Sequence, residues 1–159
     1  MSENFTSKRI SRTATIRLQS NIEKVFPLFG PIEEKRWAYG WEPIIIFSRT
    51  NSVEKNMLFK TKGQGYGEEE FIWNISQYEP KKYFIEYSVH TANRIWTIAV
   101  SCLKNGVQST FATITYTFTG LNNKGNDINE KLLAKMHTSD LKDWEEAINH
   151  FLETGNILK

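Results

Sequence analysis

From residue 42 to residue 119 the chain is written almost entirely in strand-forming residues, and only one long helical pattern follows. Six runs, 42–48, 57–61, 68–78, 82–90, 93–104 and 107–119, are rich in β-branched and aromatic side chains. Gly63, Gly65 and Gly67 mark one break, and Glu79-Pro80-Lys81-Lys82, Thr91-Ala92-Asn93 and Lys104-Asn105-Gly106 mark later ones. Short, regular breaks of this turn chemistry predict an antiparallel meander. An earlier run, residues 12–19, alternates Ala14, Ile16 and Leu18 against Thr13, Thr15 and Arg17, which is the pattern of a half-buried seventh strand.

The helical signals are few. Ser20 or Asn21 can cap a short helix over 21–29, where Ile22, Val25, Phe26 and Phe29 fall at helical spacing. Pro27 shortens it, and Gly30-Pro31 stops it and starts a second over 31–36. At the end, Ile128, Leu132, Leu133, Met136, Trp144, Ile148, Phe151 and Leu152 recur at three- and four-residue steps before Gly155. With Asn126 or Asp127 as the cap, this predicts one helix of about 28 residues, roughly 40 Å long.

A seven-stranded antiparallel sheet with one apolar face must cover that face. With one long helix available, the economical solution is an α+β fold in which a curved sheet grips the C-terminal helix and the two short helices plug one end. One helix cannot fill such a sheet, so an internal cavity is expected. The length of 159 residues suits a single domain, expected at 12–155, with a flexible N-terminus at 1–11 and a tail at 156–159.

The segment Phe26-Pro-Leu-Phe-Gly-Pro-Ile-Glu-Glu-Lys-Arg-Trp-Ala-Tyr-Gly-Trp41 sharpens this expectation. Through Pro31, Glu34, Trp37, Gly40 and Trp41 it resembles the P-x-x-E-x-x-W-x-x-G-W segment of bacterial SRPBCC proteins. That superfamily of helix-grip domains includes START, polyketide-cyclase and birch-pollen-allergen-like (Bet v 1-like) members. The element order resembles theirs from about residue 12 to 153. Gly30 stands where many of those relatives have Cys. The resemblance implies a cavity for a small apolar molecule and carries no catalytic signature.

Charge and composition narrow the functional classes. Twenty Lys+Arg against 18 Asp+Glu give a net charge of +2, no argument for a nucleic-acid partner. The longest apolar stretch, Ile44-Ile45-Ile46-Phe47, is too short to span a bilayer, and the N-terminus has no secretory signal pattern. A cytoplasmic protein is expected, as a monomer or weak homodimer. One Cys and three scattered His give no disulfide framework, no metal site and no cofactor signature.

The aromatic content, 13% with five Trp, points instead to a cavity wall. The expected ligand-binding residues are Trp37, Trp41, Trp73, Tyr87, Trp96, Tyr116, Met136, His137 and Trp144. Core filling is the competing role for each, and a buried Trp or Tyr still needs a partner for its polar atom. Cys102 reads as a small buried hydrophobe, Glu68-Glu69-Glu70 as a solvated strand entrance, and Arg94 as a surface residue. The hairpin at Gly63–Gly67 reads as a flexible gate. No residue is assigned a catalytic role. The expected function is binding of a lipid-, polyketide- or isoprenoid-like molecule. The alternatives are a polyketide cyclase or aromatase, with His137, Tyr87 and Arg94 as proton-transfer candidates, and an interaction module like the chaperone-ATPase activators of the superfamily.

Overall fold

A computed structural model describes residues 4–159. Seven strands form one antiparallel sheet in the order β1-β7-β6-β5-β4-β3-β2. They are β1 (Arg9–Leu18), β2 (Ile44–Phe47), β3 (Leu58–Gly65), β4 (Glu68–Glu79), β5 (Phe84–His90), β6 (Arg94–Lys104) and β7 (Thr110–Gly120). Strands β2 to β7 pair as the expected meander, and β1 returns to pair with β7 over its whole length. So β1 and β2, adjacent in sequence, lie at opposite edges of the sheet. The segment joining them holds the short helix α1 (Ile22–Val25) and 3-10 turns at Phe26–Phe29 and Glu33–Arg36. It must cross the sheet from one edge to the other, which is how it closes one end. Strand β1 begins at Arg9, three residues before the expected domain start at 12; residues 1–3 of the expected flexible segment lie outside the described residues.

The apolar alternation read in the sequence is the inner face. Ala14, Ile16 and Leu18 of β1, Phe71 and Ile75 of β4, Ile85, Tyr87 and Val89 of β5, Trp96, Ile98, Val100 and Cys102 of β6, and Ala112, Ile114 and Phe118 of β7 are all buried. They belong to one continuous core with Phe26, Leu28, Phe29 and Ile148.

The C-terminal helical segment covers this face but is divided. Helix α2 (Asn123–Ser139) is capped by Asn122, whose side chain accepts from Gly125 N at 2.8 Å, not by Asn126 or Asp127. Helix α3 (Lys142–Thr154) follows. Between them Asp140 (φ +48°) and Leu141 (φ +58°) are left-handed, a conformation that ends one helix and redirects the chain. The expected single rod is thus two shorter ones. Asp140 N–H closes α2 on Met136 O at 2.7 Å, and the Asp140 carboxylate is held by Arg12 of β1. Two rods can follow a curved sheet that one straight rod would leave.

The two sheet edges are treated differently. Along β1, Arg17 N–H donates to Glu145 Oε2 at 2.7 Å and Gln19 N–H to Asn149 Oδ1 at 2.8 Å, while Asn149 Nδ2 donates back to Arg17 O at 3.0 Å. Side chains of α3 therefore satisfy edge groups that would otherwise invite another strand. At the other edge Ile44, Ile45, Ile46 and Phe47 of β2 are exposed.

Candidate functional site: an aromatic cavity bordered by carboxylates

Between the inner sheet face and the C-terminal helices lies a cavity of about 800 Å³. Phe29, Glu34, Trp37, Ala38, Tyr39, Gly40 and Trp41 of the crossing segment line it, with Trp73, Tyr87, Ile98, Val100 and Tyr116 of the sheet. Asp143, Trp144, Glu146 and Ala147 of α3 complete the wall. Leu158 and Lys159 also border it, so the residues expected to form a separate tail turn back onto the site. A second chamber of about 240 Å³ adjoins, lined among others by Phe71, Arg94, Trp96, Phe118, Leu132 and Met136. Gln64, Trp73, Ile98, Tyr116 and Asp143 border both.

Four aromatic side chains of the wall are fixed at their polar ends. Trp37 Nε1 donates to Leu28 O at 2.7 Å, Trp41 Nε1 to Pro31 O at 2.8 Å, and Trp73 Nε1 to Thr61 Oγ1 at 2.9 Å. Tyr87 Oη donates to Phe29 O. The two indoles of the crossing segment thus bond back to the carbonyls of the turn before them, which is what the Pro31-to-Trp41 spacing accomplishes. Gly40 takes φ +83° between them, a value disfavoured for a residue with a Cβ. The rings then pack edge to face: Trp37 on Trp144 at 5.7 Å, Trp41 on Trp73 at 5.4 Å, and Trp73 on Tyr87 at 5.5 Å.

Of the nine residues expected at the site, Trp37, Trp41, Trp73, Tyr87, Tyr116 and Trp144 border the main cavity. Trp96 and Met136 border the second chamber. His137 borders neither and is exposed. One residue beyond Met136 is a 100° step around the helix, enough to carry the imidazole off the inner stripe. Many of these residues serve both readings at once: Trp37 is core by burial and wall by position.

Arg94 and Glu68 depart furthest from expectation. Arg94 is buried, not on the surface, and Glu68 is buried, not solvated. They pair with each other beside the second chamber, at 2.7 Å from Arg94 Nη2 to Glu68 Oε1. The hairpin read as a flexible gate meets α2 at its tip, where Lys135 Nζ donates to Tyr66 Oη at 3.2 Å.

A carboxyl also borders the main cavity, that of Glu34. It sits in the turn at Glu33–Arg36 beside a second glutamate, and the two face opposite ways. Glu33 pairs with Arg36 at 2.6 Å on the outside. Glu34 faces the cavity, its carboxyl receives no hydrogen bond among the described residues, and burial pushes it from 4.5 up to about 8. The Tyr116 phenol, also without a hydrogen-bond partner among the described residues, is raised by burial and by the charges of Glu34 and Asp143. Burial raises Tyr87 too, with a contribution from Glu34. Both tyrosines are therefore neutral donors, and Glu34 titrates near neutrality. The motif already contained Glu34; what it lacked was any sign of which way the side chain turns.

No family model matches the chain, and no curated protein matches it in sequence. Solved structures match it in fold. A point mutant of norcoclaurine synthase from Thalictrum flavum, in complex with a transition-state analogue, is 10% identical with a TM-score of 0.69, over 96% of this chain and 100% of that one. A conserved protein from Geobacillus kaustophilus is 14% identical with a TM-score of 0.64, over 92% and 97%. The major latex-like protein 151 of Panax ginseng is 14% identical with a TM-score of 0.57, over 87% and 96%. At such identities the likeness shows the fold alone: the helix-grip architecture expected from the sequence.

Proposed function

We propose that the protein binds a small, flat, largely apolar molecule in the cavity between the sheet and helices α2 and α3, without transforming it. The observation that carries this reading is a main chamber of about 800 Å³ walled by four tryptophans. Pockets of this size and lining suit ligands in the range of lipids, polyketides and isoprenoids. Burying roughly 200 Å² of apolar ligand surface is worth about 5 kcal/mol before the costs of association. The protein acts in the cytoplasm as a monomer or weak dimer on this reading; none of its described helices is long and apolar enough to cross a membrane. Native mass spectrometry of the purified protein tests it, with thermal-shift screening across those three ligand classes. A retained or added apolar molecule that raises the melting temperature supports the reading. No mass adduct and no shift with any class rejects it.

A second reading, an enzyme of the cyclase or aromatase type, has one observation in its favour. Of its three candidates, His137 is outside the cavity, Tyr87 is committed to Phe29 O and Arg94 to Glu68. Glu34 takes their place, since a carboxyl that titrates near neutrality suits proton transfer. Product formation from a bound polyketide that stops in Glu34→Gln, with ligand still retained, would favour it over simple binding.

A further inference from the structure

The main cavity is acidic in a protein whose net charge is +2. Among the described residues, half-buried Glu34 and the exposed Asp143 and Glu146 border it, against one cation, Lys159. The cations of the second chamber are both engaged: Arg94 with Glu68, and Lys135 with the Tyr66 hydroxyl. Acidity alone would mean little. Here it coincides with a cavity-bordering carboxyl that has no hydrogen-bond partner among the described residues and with walls rich in indole rings, whose faces attract cations as well as apolar carbon. Glu34 is half-buried, so its carboxyl keeps only part of its hydration, and a ligand that supplies a donor replaces what is lost.

We infer that the cavity selects an aromatic or otherwise flat apolar molecule bearing a protonated amine, with Glu34 as the principal counter-charge and Asp143 as the second. The inference rests on the ligand-binding reading above and deepens it by naming the ligand's polar group. The apolar body lies among Trp37, Trp41, Trp73 and Trp144, and the ammonium reaches toward Glu34 near the Tyr116 hydroxyl. In the empty cavity Glu34 holds its proton at neutral pH. An arriving ammonium favours the ionised carboxylate, so binding expels that proton to solvent. Affinity therefore rises with pH until Glu34 is fully ionised. The other groups facing this space are Asp143 and Glu146 from α3, Tyr87 from β5, Tyr116 from β7 and Lys159.

Three indoles of matched size separate shape from charge: tryptamine (a cation), tryptophol (neutral) and indole-3-propanoate (an anion). In calorimetric titration of the full chain, tryptamine is expected to bind about tenfold tighter than tryptophol, with indole-3-propanoate the weakest. Tryptamine affinity should rise about tenfold between about pH 6.5 and about pH 8.5, while tryptophol affinity stays flat. Titrations near neutral pH in buffers of different ionisation enthalpy should report a proton released on tryptamine binding, a readout that needs no variant. Glu34→Gln should lower the tryptamine-to-tryptophol ratio severalfold and abolish the proton release, and the exposed Glu69→Gln should leave both unchanged. Equal binding of all three indoles overturns the amine inference and leaves the apolar cavity standing. An unchanged ratio in folded Glu34→Gln, or no proton release, overturns the role of Glu34. No binding of any of the three overturns the amine inference, while the reading beneath it stands or falls on the mass-spectrometry and thermal-shift screen.

Discussion

Arg94 of β6 and Glu68 of β4 form an ion pair with side-chain exposures of 1% and 2%. Two guanidinium nitrogens, Nε at 3.0 Å and Nη2 at 2.7 Å, converge on Glu68 Oε1. Thr91 Oγ1 donates to Oε2, and the guanidinium lies 4.1 Å from the centre of the Trp96 ring. Burial would raise the Glu68 carboxyl, but the hydrogen bonds from Arg94 and Thr91 and the guanidinium charge outweigh it and hold it below the usual carboxylate range.

Removing one partner should be far worse than removing both. Glu68→Ala leaves a buried guanidinium uncompensated and is expected to cost about 3–5 kcal/mol in urea unfolding. The double variant Glu68→Leu with Arg94→Met should recover most or all of that loss, because two apolar side chains need no counter-charge. A double variant as unstable as the single one would show that the pair has a further structural role. The lowered Glu68 carboxyl also sets a sign: its stabilisation is present above 4.5, the unfolded value, and is lost as pH falls below it.

Glu34 has the opposite sign. The unfolded chain loses this proton near 4.5 and the native state keeps it to about 8. Stability must therefore fall as pH rises through that window. Glu34→Gln does not titrate, so it should match the wild type near pH 4.5 and exceed its melting temperature by about 5 °C near pH 8. Thermal unfolding followed by circular dichroism across that range checks this; a constant difference at every pH would contradict it.

The junction between α2 and α3 should be intolerant of β-branched residues. Asp140 is left-handed and paired with Arg12. Asp140→Val imposes a side chain poorly suited to positive φ and removes the pair, with an expected cost of about 1–3 kcal/mol. Asp140→Asn keeps a residue that tolerates the conformation and should lose about 1 kcal/mol or less. Equal losses in the two variants, measured by denaturant unfolding, would mean that backbone conformation is not the determinant.

Cys102 should be chemically silent in the native protein. It is 5% exposed, and burial pushes its thiol up to about 12. A neutral buried thiol is a poor nucleophile. Labelling with iodoacetamide at neutral pH should proceed only after addition of denaturant, as read by mass spectrometry. Rapid native labelling would show that β6 opens readily.

The strands were legible because turn chemistry and two-residue alternation are local signals. The helix break was not, because the apolar stripe continues through it: Met136, Leu141, Trp144 and Ile148 all pack on the core although Asp140 and Leu141 are left-handed. Periodicity reports which face is apolar and is blind to a change in axis. Tryptophans of the wall were legible by their sheer apolar area. Glu34 and Glu33 were indistinguishable, since a four-residue turn is too short for any period to separate inside from outside. Arg94 and Glu68 lie 26 residues apart, and only the strand pairings bring them together.

The five tryptophans of this chain all border the two adjoining chambers. Its ultraviolet emission therefore originates almost wholly from the walls of one interior space. A guest entering that space would change the surroundings of several indoles at once. The molecule thus carries a built-in optical gauge of its own occupancy, readable without any label.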